Sequence, residues 1–193
     1  ALFALLCAAS ILAAGCGGPA HLMETPNLYL VAGEDALDRI PECNRTSTID
    51  VVYTTDREPV FDKRTGGLRG YSRQRSPYLQ VGVARMEIGR GQSWDQVMAM
   101  SRSPKRGSDA RLRLDRVEEK FRYPGTPYNS WRLPDRSPTY EDFKARMRHT
   151  DVQFSELLDG QFSSCSKRAV FLYVHGYNND FEDSLKVMAG FWH

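Results

Sequence analysis

Ala169-Val170-Phe171-Leu172-Tyr173-Val174-His175-Gly176-Tyr177-Asn178 is the stretch on which the fold class of this 193-residue chain turns. Six apolar residues run without interruption and end at a His-Gly pair. A strand with one wet face alternates apolar and polar side chains; a continuous run suits a strand buried on both faces, as in a parallel sheet. Asp180 to His193 follows, with Phe181, Leu185, Met188 and Phe191 or Trp192 at helical spacing. Strand, tight loop and helix form the basic parallel α/β unit. The predicted fold class is therefore α/β.

Upstream of this unit, Tyr140, Phe143, Met147, Phe154, Leu157 and Leu158 recur at three- and four-residue spacing. They predict a helix that starts at an N-cap Thr139 and stops at Asp159-Gly160. Residues 123–138 hold four prolines and read as loop. Leu112, Leu114 and Val117 suggest a strand. Ser93 is placed to cap a short helix through Met100. Tyr78 to Ile88 and Ile49 to Thr55 read as two further strands. Between them, residues 56–77 carry Gly66, Gly67, Gly70 and, after Arg57, five Lys or Arg at 63, 64, 69, 73 and 75, the composition of a long exposed loop.

Composition is that of a soluble globular protein, with 41% hydrophobic and 26% charged residues. It excludes collagen, wholesale disorder and a polytopic membrane protein. The net charge of +2 gives no reason to expect a nucleic-acid partner. The charge is unevenly spread, however. Residues 57–122 hold 16 Lys or Arg against 8 Asp or Glu, whereas residues 139–193 hold 6 against 8. The basic region suits a solvated surface, and equally a face for anionic lipid headgroups or an acidic substrate. His149, His175 and His193 lack metal-ligand spacing, and His21 lies in a tether, so no metal or other cofactor is expected.

Residues 1–15, ALFALLCAASILAAG, carry no charge. They are too short to span a bilayer as a helix and have the length of a secretory signal core. The run Leu12-Ala13-Ala14-Gly15-Cys16 resembles a bacterial lipobox, although Ala13 stands where the family more often has Leu. That resemblance implies cleavage before Cys16, lipidation of its thiol and attachment to the cell envelope by a lipid anchor, on the periplasmic or outer-membrane side. Residues 16–48 then form the lipidated Cys, a Gly17-Gly18-Pro19 tether and a loop region. With Cys7 in the leader and Cys16 acylated, Cys43 and Cys165 remain, and in an oxidising compartment two such thiols tend to pair.

The segment around 170–190, with Thr54-Thr55-Asp56-Arg57 and Tyr78-Leu79-Gln80-Val81-Gly82-Val83, resembles a bacterial group of uncharacterised esterase/lipase-like α/β-hydrolases. The resemblance implies that residues 49–193 are the N-terminal part of an α/β-hydrolase sheet. It makes His175, Gly176, Tyr177 and Asn178 an oxyanion loop. In that reading the Tyr177 N–H is the donor, Gly176 lets backbone approach substrate, His175 orients the loop and Asn178 braces the turn. Acyl transfer passes through a tetrahedral oxyanion, and preorganised amides stabilise its charge. The family's nucleophile sits in a Gly-x-Ser-x-Gly-like elbow downstream of this loop, with the acid and base later still. No such elbow occurs here. The chain is therefore expected to end before its nucleophile, with no triad residue within it and no activity of its own.

Two functions compete at this point. One is a membrane-anchored serine hydrolase acting on a small-molecule or lipid ester. The other is a non-catalytic envelope lipoprotein that uses the same scaffold for binding. Glu118-Glu119 reads as a solvated strand edge, and Asp56-Arg57 as an ion pair that orders the end of the first strand.

Overall fold

The computed structural model describes residues 21–23, 40–103, 110–125, 138–163, 170–176 and 178–192. After a 3-10 turn at Glu42–Asn44 come β1 (Thr48–Phe61), β2 (Leu68–Ile88), α1 (Trp94–Arg102), β3 (Leu112–Arg122), α2 (Pro138–Phe162) and α3 (Phe181–Trp192).

The expected parallel α/β-hydrolase sheet is not what forms. The three strands make one sheet in the order β1-β2-β3, and both pairings are antiparallel. The cause lies in residues 56–77, which are not a loop. They continue β1 and β2 into a long two-stranded arm closed at Asp62–Gly67. Asp62 builds that turn: its carboxylate accepts from the Arg64 and Thr65 amides and from the Thr65 hydroxyl. Gly66 has φ 70°, a left-handed conformation that costs glycine little. So short a connection can join antiparallel strands only; parallel neighbours need a crossover of a dozen residues or more.

The arm is irregular. Between the pairs Thr55↔Gln80 and Arg57↔Arg75, β1 advances two residues while β2 advances five. Pro77 falls inside this bulged stretch, where its missing N–H breaks no regular ladder. Below the bulge the register is regular from Thr48↔Glu87 to Thr55↔Gln80. There the inward positions alternate: Ile49 and Tyr53 on β1, Ala84, Met86 and Ile88 on β2, Leu112 and Val117 on β3, all buried. Leu22 joins them, and its backbone N–H donates a hydrogen bond to the Ala110 carbonyl at 2.8 Å. α1 contributes Val97, and α3 lays Phe181, Leu185 and Ala189 against the sheet. α1 starts at a capping box, with Ser93 accepting from the Gln96 amide and Gln96 accepting from the Ser93 amide.

Three further expectations change. Val170–Gly176 carries no strand, so no parallel α/β unit forms there. Val170, Phe171, Leu172 and Val174 are exposed, Leu172 at 88%. The helix expected from Thr139 starts at Pro138, and it runs past Asp159-Gly160 to Phe162. Asp56 pairs with Arg75, across the arm, rather than with Arg57.

Candidate functional site

The residues singled out after Val174 lie where α3 meets the base of the β1–β2 arm. Asp180 fixes the helix start. Its carboxylate accepts from the Asp183 amide at 2.8 Å, and its carbonyl accepts from the Ser184 hydroxyl at 2.8 Å. The Ser184 hydroxyl is thus spent on its own helix and is not presented as a nucleophile. Two residues before the cap, Asn178 has φ 90°, a region that Asn tolerates better than most side chains.

Two arginines hold this turn from the arm. The Arg57 Nη2 donates to the Asn179 carbonyl at 2.8 Å, and the Arg73 Nη1 donates to the Asn178 Oδ1 at 3.1 Å. The Arg57 Nη1 is buried and has no hydrogen-bond partner among the described residues. In the sequence Arg57 was read only as a partner of Asp56, and Arg73 only as part of a basic loop, because each lies more than a hundred residues from the group it holds. The general signal was present in the basic balance of 57–122, but nothing in it distinguished these two from their neighbours. Asn178, expected to brace the turn, accepts from Arg73 through its side chain.

On the N-terminal side the loop is open. His175 and Gly176 are exposed. The His175 Nδ1 lies 2.9 Å from the Gly176 carbonyl. A carbonyl can only accept, so this bond places the imidazole proton on Nδ1. A Cβ built on Gly176 would meet no atom of the described residues within 4 Å, and its φ is not in the left-handed region. The described fold therefore asks for a glycine here neither by conformation nor by space. Tyr177, Cys16 and Cys165 lie outside the described residues. Cys43 is disulfide-bonded, to a partner outside them.

Beneath the loop sits an aromatic cluster. Phe181, the first residue of α3, stacks edge-on against Tyr53 and Tyr71, with centroids 5.0 and 4.9 Å away. The Tyr53 and Tyr71 hydroxyls are 3.1 Å apart. Tyr53 also donates toward the Glu118 carbonyl, and Tyr71 toward the Glu119 carboxylate, which pairs with Arg122. Burial raises both phenols, Tyr71 to about 12, so both stay neutral donors at physiological pH. Gly82 makes room for this network: a Cβ there would overlap the Glu118 carbonyl oxygen and the Tyr53 hydroxyl. Glu118 pairs with Lys120 at 2.6 Å. The two glutamates are thus tied to separate cations.

Among the described residues no group of three or more His, Cys, Asp or Glu is placed to hold a metal ion. No described helix is long and apolar enough to cross a membrane. Compared with family models, curated proteins and solved structures, the chain matches none of them.

Proposed function

We propose that this chain is part of a lipid-anchored bacterial envelope protein that hydrolyses an acyl ester, with residues 175–178 stabilising the oxyanion. The observation that carries the reading is the open space over Gly176 beside a clamped turn. Arg57, Arg73 and the Asp180 cap fix the C-terminal side of the loop, while nothing in the described fold occupies the space above its glycine. A fixed backbone with free room above it is what an oxyanion donor requires. The amide must already be aimed when charge develops on the substrate oxygen.

In this reading the Tyr177 N–H is the donor and His175 orients the loop through its own Nδ1–H. The serine, the acid and the base are supplied by segments outside the described residues. The serine oxygen attacks the acyl carbon, the base takes the serine proton, and the alcohol leaves with that proton. Water then releases the acid by the same steps in reverse order of roles. Cys16 carries the lipid, which keeps the enzyme at a membrane where lipid esters are at hand.

The test is turnover of an activated short-chain ester by the full-length protein, with a serine-directed fluorophosphonate as active-site probe. Gly176→Val is expected to lower kcat/KM by about two orders of magnitude, as loss of one oxyanion donor does. Near-wild-type turnover in the folded variant would overturn the assignment of the loop. No turnover and no probe labelling in the full-length protein would overturn hydrolysis itself and favour a binding role.

A further inference from the structure

We propose that the tip of the β1–β2 arm is a membrane-contact element that docks on an anionic lipid surface. Beyond the bulge, where Leu68 and Tyr71 of β2 pack on the core, β1 ends in Val60 and Phe61, exposed at 39% and 53%. More than half of the Phe61 surface is thus left uncovered by the described residues. Around them stand Lys63, Arg64 and Arg69, all exposed, with Asp62 the single acidic residue between Val60 and Arg69. The Asp62 carboxylate is committed to the turn amides. Lys63 and Arg64 therefore face solvent without a carboxylate partner in the turn, and Arg69 is near enough for its charge to act on Asp62.

An apolar pair ringed by basic side chains is the pattern of elements that lie at the headgroup level. The aromatic ring enters the interface and the cations stay with the phosphates. Charge complementarity selects the occupant: an anionic bilayer attracts each cation near its surface, and a neutral bilayer does not. The inference does not rest on the hydrolytic reading, because none of these residues belongs to the 175–180 turn. It does place the tip beside that turn: Phe181, which follows Asp180, lies against Gly70, the cross-strand partner of Val60.

The experiment uses the full chain with Phe61→Trp as a local probe and vesicles of neutral phosphatidylcholine with or without phosphatidylglycerol. The fluorescence of this variant, corrected for the unsubstituted chain, is expected to shift to the blue with phosphatidylglycerol vesicles and not with neutral ones. Changing Lys63, Arg64 and Arg69 together to Gln should weaken that response by about a hundredfold in lipid concentration. The changes are exposed, and unaltered circular dichroism checks the fold. An equal shift with both vesicle types would refute the proposal, as would a response indifferent to the triple substitution. A tip-dependent response to a polyanion such as heparin, with none to anionic vesicles, would equally refute it.

Discussion

The β1–β2 arm and the 169–174 run make opposite use of the same chain. Residues 68–77 of the arm, LRGYSRQRSP, hold three arginines and a proline, and yet Leu68–Ile88 is a strand throughout. The run AVFLYV is built of residues that favour strands, and its described part, from Val170 on, forms none. Propensity belongs to side chains, but a strand is a relation between two backbones. Asp62 and Gly66 supply the arm's relation locally, by turning the chain back on itself. Nothing next to Val170–Val174 in sequence does the same. Its neighbour α3 is a helix that has already spent its apolar face on the sheet.

The largest expected consequence of this contrast is in amide exchange. The Val81–Ile88 amides pair in the middle of the sheet and are expected to exchange with global unfolding. Those of Val170–Val174 should exchange several orders of magnitude faster. Comparable protection in the two, measured by hydrogen–deuterium exchange of the purified chain, would show that the run has found a partner and would erase the contrast.

Next in size is a pair of glycine substitutions. Gly82→Val forces a side chain into the Tyr53 hydroxyl and the Glu118 carbonyl, and is expected to cost about 3 kcal/mol or more. Gly176→Val meets open space and should change stability by less than about 0.5 kcal/mol. Urea midpoints compare the two directly. A large loss at Gly176 would mean that the loop is packed, and would remove the reason to read it as a site.

The smallest effect is electrostatic. Asp50 on β1 and Arg85 on β2 are cross-strand neighbours joined by two hydrogen bonds of 2.7 and 2.8 Å. The Arg85 guanidinium holds the Asp50 carboxyl below its ordinary value. Its folded pKa is thus the lower one, so its contribution is present above the unfolded Asp range, near pH 4, and is lost as pH falls through the folded pKa. Both side chains are about a third exposed, which limits the effect to about 1 kcal/mol. Asp50→Asn should remove that part of the acid dependence, seen as a smaller difference in urea midpoint between pH 7 and pH 3. An unchanged difference would assign the acid sensitivity to other carboxylates.

Elements set by local signals were legible. Ser93 announced α1, the alternation of 78–88 announced half of β2, and the spacing from Tyr140 announced α2. The arm was not, because its polar, arginine-rich strands look like loop until Asp62 and Gly66-Gly67 are weighed as a hairpin turn. The sheet's direction was misjudged from the 169–174 run, whose two apolar faces imply burial only where other layers cover them. At the site, the loop residues could be named from sequence. The clamp could not, since Arg57 and Arg73 reach it through tertiary structure alone.

The long arm also bears on how the chain reaches its fold. The Asp62–Gly67 turn brings Phe61 against Leu68 with almost no chain to close, and a hairpin of this kind forms in about 1–10 μs. Zipping from the turn meets the bulge at Ser76–Leu79 before it reaches the regular pairs, so the tip and the base of the arm nucleate as separate events. The base needs β3 and α3, whose partners are far along the chain, and contacts of that range slow folding. The tip, whose turn Asp62 closes locally, would be the first part of this protein to turn back on itself.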